Sequence, residues 1–137
     1  KIFLGDSGSM LLGFLLSWIL IYYTVPEHRA IHPVLTIWCV ALPVFDILGV
    51  IFRRAVNKLN PFKPDRRHLH HILLDLNVST SKVYYYLVIM SITLSLIGGL
   101  TFYFLGSLMT LLCFIICFIT YTYIVLFLSK KINLQKS

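Results

Sequence analysis

The chain has 137 residues, of which 58% are apolar and 12% charged, where soluble domains average about 45–50% and about 25%. Its formal net charge is +7, but the basic residues are outnumbered by long uncharged runs, which excludes a disordered or nucleic-acid-binding arm. A bilayer is the solvent that suits this composition, and the fold class it implies is all-α, a polytopic membrane helix bundle.

The chain opens at Lys1 without an initiator Met; its first residues are not expected to be a signal peptide, and 1–137 is expected to be the C-terminal part of one longer integral membrane domain. The first polar segment is Gly5-Asp6-Ser7-Gly8-Ser9. Its glycines permit a tight turn, its serines can cap the helix that follows, and Asp6 places a carboxylate at the membrane surface. A hard cation such as Mg²⁺ takes oxygen ligands of this kind. A plain N-cap turn with a solvated Asp is the other reading.

A helix needs roughly 20 apolar residues to cross a bilayer, and four stretches qualify: 9–25, 33–52, 83–104 and 107–128. Between the first two lie His28 and His32, expected to be ordinary residues of an external loop. The second stretch carries Asp46, about four turns in and shortly after Pro43. An ionisable residue in a span is a functional hypothesis by default, and a structural acid paired with Arg53 or Arg54 fits equally well.

The segment 53–82 holds most of the remaining polar information. Pro61 and Pro64 break any helix continuing from the second stretch, and Asp65 is expected to cap a new one. Beyond it, Leu69, Ile72, Leu73 and Leu76 recur at the spacing of one helical face. The opposite face gathers Arg67, His70, His71 and Asp75, flanked by Arg66 and His68. This predicts a short amphipathic helix lying on the membrane with its guanidinium and imidazole groups outward. Such a face can donate hydrogen bonds to phosphate oxygens, bidentately from Arg. It can also be a basic surface attracted to anionic lipid, worth about 1 kcal/mol per residue, although Lys would serve that better than three His. Zinc is a third option, with His68 and His71 one turn apart but no Cys or acidic partner in register.

The last two stretches are separated by little more than Leu105-Gly106, which predicts a tight helical hairpin, and Gly98-Gly99 suits close backbone approach or a kink. Cys39, Cys113 and Cys117 all lie in apolar runs and are expected to have no disulfide or metal role. Orientation follows from Lys and Arg. One side of a four-span arrangement carries Lys1, seven basic residues of 53–82 and three of the tail, and the other carries Arg29 alone. The positive-inside rule places 1–8, 53–82 and the tail in the cytoplasm.

Three segments, KIFLGDSGS (1–9), PVFDILGVIFRR (43–54) and NPFKPDRRHLHHILL (60–74), in this order and spacing, resemble the C-terminal part of the WecA-type branch of the polyprenyl-phosphate N-acetylhexosamine-1-phosphate transferases, a family that includes MraY. The resemblance runs from Lys1 to about Lys82; the last two spans match in hydropathy and placement alone. It implies a multi-pass enzyme of the bacterial inner membrane, with its active site facing the cytoplasm. Such an enzyme moves N-acetylglucosamine 1-phosphate from a UDP-sugar to undecaprenyl phosphate and releases UMP, starting O-antigen or enterobacterial common antigen synthesis. By position, Asp6 would be the ligand of Mg²⁺ (or Mn²⁺), and His68, His70 and His71, with Arg66 and Arg67 beside them, would serve nucleotide-sugar binding and catalysis. Asp46 falls where family members carry an acidic residue. The family's aspartate pair in upstream cytoplasmic loops has no counterpart here, so activation of the lipid phosphate is assigned to none of these residues.

Within the superfamily, a MraY relative would carry three adjacent histidines where this chain has His68-Leu69-His70-His71, whereas teichoic-acid initiating transferases share the present pattern. A four-span transporter predicts polar helix faces, but the first, third and fourth stretches show only Ser, Thr and Tyr. A membrane scaffold would need neither the Asp6 turn nor the His-rich helix. The sequence leaves the oligomeric state open.

Overall fold

The computed structural model describes residues 5–28, 30–56, 58 and 68–136; for Asp6, Val56 and 131–136 it describes the backbone alone. All regular structure among these residues is helical: α1 (Gly5–Tyr22), a 3₁₀ turn (Pro26–His28), α2 (Pro33–Cys39), α3 (Ala41–Val56), α4 (Leu69–Asp75) and α5 (Thr80–Lys136).

The Gly5–Ser9 motif does not precede its helix as a separate turn. It forms the first turn of α1, opened by Gly5 at φ +66°, a conformation that glycine adopts without steric cost. Ser9 Oγ donates back to the Gly5 carbonyl at 3.0 Å. The helix is apolar nearly all round, and none of its described side chains is buried.

The predicted stretch 33–52 is two helices rather than one. His32 caps α2, its Nδ1 accepting from Val34 N–H at 3.3 Å, and Pro33 follows at the helix start. The axis then turns by 75° between α2 and α3. Pro43 supplies the reason: its ring crowds the carbonyl four residues back, at Cys39, and it has no N–H to give. α2 ends at that residue.

α5 is interrupted at Gly106, where φ is 79° and ψ 179°. The chain doubles back there, so that Met90 and Leu94 line one cavity with Cys117, Tyr121 and Ile124. The hydroxyl of Thr110, itself fully buried, closes the turn by donating to the Gly106 carbonyl at 2.7 Å. The first arm, 80–105, is about 39 Å long at 1.5 Å per residue. Of the two glycines at 98 and 99, only Gly98 is a close approach: a Cβ there would lie 2.3 Å from Trp38 Cγ, and one on Gly99 would meet nothing within 4 Å.

The core lies where α2, α3 and α4 meet α5. Trp38 and Phe45 are sealed inside it, with ring contacts to Phe114 at 5.3 and 4.8 Å. Leu69 and Ile72 bring α4 into the same cluster beside Leu94, Tyr121 and Val125. Among the described residues, the run Thr80–Lys130 is long and apolar enough to cross a membrane, and α2 with α3 passes the same measure only as a bent pair. The apolar part of α1 is shorter. The three cysteines are free.

Candidate functional site

Asp46 is the centre of the site. It sits on α3, just beyond the bend that Pro43 imposes, and its carboxylate faces two other elements. Oδ1 accepts from the Leu69 backbone N–H at 3.0 Å and from the Tyr121 hydroxyl at 2.9 Å. Oδ2 lies 3.0 Å from His68 Nδ1. One side chain therefore ties together α3, the start of α4 and the second arm of α5.

Each of these contacts has a local cause. The first N–H groups of a helix lack intrahelical partners and carry the positive end of its dipole, so a carboxylate there is doubly favoured. α4 begins with His68 in an extended conformation, φ −74° and ψ 153°, and the His68 side chain makes no capping bond. It is turned instead toward Asp46. The far end of α4 is closed by backbone bonds from Asn77 N–H to Leu74 O (2.9 Å) and from Val78 N–H to Leu73 O (3.2 Å), with Asn77 at φ 60°. This is the left-handed stop that Gly or Asn commonly provides. The cap expected from Asp65 lies outside the described residues, and the carboxylate that meets the helix start comes from Asp46, 23 residues away.

The predicted two-faced character of α4 is present. Leu69 and Ile72 are buried and Leu73 is partly so, while His71 is exposed and His70 half-buried. The three imidazoles form a row, with ring centroids 5.9 Å apart between His68 and His70 and 4.1 Å between His70 and His71. Desolvation, then the neighbouring His71, holds His70 below its ordinary value, opposed by the Asp46 charge. His70 also reaches a cleft of about 190 Å³ lined by Leu42, Pro43, Asp46, Leu69, Leu87 and Tyr121. A histidine whose Nδ1 faces a carboxylate carries its proton there, which leaves Nε2 directed elsewhere.

The sequence candidates thus divide. Asp46, His68, His70 and His71 are brought together. Arg66 and Arg67 lie outside the described residues, and Asp6 is placed by its backbone alone, in the first turn of α1. Among the described residues no three His, Cys, Asp or Glu converge on a metal-sized point, and both Asp46 oxygens are already engaged. These residues do not by themselves fit Mg²⁺ or Zn²⁺.

The chain is 33% identical over 125 residues to an undecaprenyl-phosphate α-N-acetylglucosaminyl 1-phosphate transferase of Escherichia coli O157:H7, covering 90% of this chain and 34% of that protein. The proteins of the same name from Yersinia pestis and Haemophilus influenzae are each 32% identical, with 90% of this chain covered and 34% and 35% of theirs. The chain is homologous to these transferases. It spans about a third of their length. No family model and no solved structure matches it.

Against that homology, Tyr121 is the site residue that sequence reasoning missed. It sits in the apolar stretch 107–128, where no single residue was singled out, and it is buried with its hydroxyl on Asp46. The available signal was chemical: a phenol in hydrocarbon needs an acceptor, and Asp46 was the acid within an apolar stretch. Arg53 is also buried, beside Asp46, Tyr121 and Thr122.

Proposed function

We propose that the chain forms the nucleotide-sugar-facing part of an enzyme that transfers N-acetylglucosamine 1-phosphate from UDP-N-acetylglucosamine to undecaprenyl phosphate and releases UMP. The observation that carries the reading is the row of His68, His70 and His71 held by Asp46, in a homologue of enzymes named for that transfer. An oxygen of the lipid phosphate bonds to the phosphorus that bears the sugar, while the bond from that phosphorus to the bridging oxygen breaks and UMP leaves with the electron pair. Two anionic substrates repel as they meet, and donors fixed in advance lower that barrier. His70 and His71 are the proposed hydrogen-bond donors to phosphate, joined by Arg66 and Arg67, which precede them closely in sequence. His68, its Nδ1 bound by Asp46, turns Nε2 toward the substrate as a hydrogen-bond acceptor.

Four crossings of a bacterial inner membrane are part of the proposal, with 53–82 and the histidines on the cytoplasmic side. What supports it is the Lys and Arg asymmetry, the fold-back at Gly106 and the exposed apolar surface of α1. A cysteine at Lys63 should resist an impermeant reagent added outside intact cells; labelling there would reverse the orientation. Asp6 is proposed as a Mg²⁺ ligand from the family resemblance, and a bound divalent ion would offset diphosphate charge. Near-normal turnover of Asp6→Asn at limiting Mg²⁺ would remove that role.

The site is tested by His71→Lys in the full-length enzyme. A lipid-anchoring face would tolerate a retained or raised charge, whereas a substrate site would not accept a flexible ammonium for a flat ring with two fixed nitrogens. Transfer of radiolabelled N-acetylglucosamine 1-phosphate in membranes should fall at least about tenfold at equal protein level. Wild-type activity would leave the histidine row as an electrostatic anchor.

A further inference from the structure

Asp46 has more donors than oxygens. Leu69 N–H and the Tyr121 hydroxyl share Oδ1, and His68 Nδ1 takes Oδ2. A carboxylate turns readily about its last single bond, and the Leu69 N–H alone could donate to either oxygen. A second donor fixed in space on the same oxygen removes that freedom. Tyr121 is such a donor. Its ring is buried and packed against Phe45, with centroids 5.7 Å apart at 44°, so the hydroxyl cannot follow a rotating carboxylate. It also comes from the second arm of α5, 75 residues from Asp46 in sequence.

We propose that Tyr121 is a positioning residue: by pinning Oδ1 of Asp46 it directs Oδ2 at His68 Nδ1, and so keeps His68 in the tautomer that turns Nε2 toward the substrate. This rests on the functional reading above for the identity of the substrate, but the hold of Tyr121 on His68 is a separate physical statement. Tyr121 touches no reacting atom. Its effect passes through two hydrogen bonds, from Tyr121 to Asp46 and from Asp46 to His68. It also gives the buried Tyr121 hydroxyl the internal acceptor that such a group needs.

The test uses the full-length enzyme in lipid nanodiscs with ¹⁵N-labelled histidine. Tyr121→Phe keeps the ring and its packing and deletes only the hydroxyl; Tyr123→Phe removes a hydroxyl from an exposed tyrosine as the control. In the wild type, the His68 nitrogens should show a protonated Nδ1 and a bare Nε2. In Tyr121→Phe they should move toward a mixture of tautomers, and in the control they should not. The same variant should lower kcat about tenfold while KM for the UDP-sugar stays within about twofold, as expected when a charged hydrogen bond acts on orientation rather than on binding. An unchanged His68 signature in Tyr121→Phe overturns the proposal whatever the rate does. If the wild-type protein transfers no sugar phosphate, the functional reading fails, and the His68 signature still decides the role of Tyr121.

Discussion

α1 and α4 make an instructive pair. α1 has 18 residues, is apolar on every side and buries none of its described side chains. α4 has seven, yet two of them are buried, its start is held by a carboxylate from α3, and its end is closed by backbone bonds. Length and apolarity make a helix that partitions into lipid without fixing where it sits against its neighbours. A short helix gains a fixed address when one polar contact is satisfied inside apolar surroundings, because leaving those donors unpaired costs far more than making the bonds gains. The histidines ride on the helix that has the address.

The largest expected difference is between a glycine of α1 and one of α5, the helix against which α4 packs. Gly98→Ala drives a methyl group into Trp38 and should cost about 3 kcal/mol, the upper end for an inserted methyl group in a packed core. Gly13→Ala meets nothing within 4 Å and should change stability by no more than about 0.5 kcal/mol. Thermal unfolding of the full-length protein in detergent reads both. Equal shifts would mean that α1 is packed as tightly as α5.

A smaller effect sharpens the comparison through pH. Burial and His71 hold His70 below its ordinary value, so near pH 6.5 the folded state binds fewer protons than the unfolded one. The sign follows: the stability of α4 is full above about pH 6.5 and is lost as pH falls through the lowered His70 value. Amide exchange across 69–76, corrected for its intrinsic rate, should therefore quicken between pH 7.5 and 5.5. Exchange across α1, which carries no histidine, should not. A pH-independent α4 would contradict the desolvation of His70.

What the sequence made legible was local. The spacing of Leu69, Ile72 and Leu73 disclosed the buried face of α4, and Gly106 marked the turn in the last apolar region, because periodicity and glycine chemistry act over a few residues. The bend before α3 was also written locally, in Pro43, but its effect appears four residues upstream at Cys39, inside a run whose hydropathy is unbroken. The convergence of Asp46, His68 and Tyr121 was not legible. These residues are 22 and 75 positions apart, and no periodic pattern links them. Asp46 could be singled out as an acid needing a partner, yet the partners are a helix start and a phenol that only packing brings near.

The central claim is that Asp46 acts on the reaction by holding the histidine helix, and a double-mutant cycle tests it most directly. The transfer rate is measured in the full-length enzyme for Asp46→Asn, His68→Gln and the pair, with protein level matched. Residues that act as a unit are strongly non-additive. The account predicts that each single variant loses at least about tenfold and that the double variant is within about threefold of the worse single. Losses that multiply, with the double variant slower by the product of the two, would show that Asp46 and His68 act independently and would contradict it.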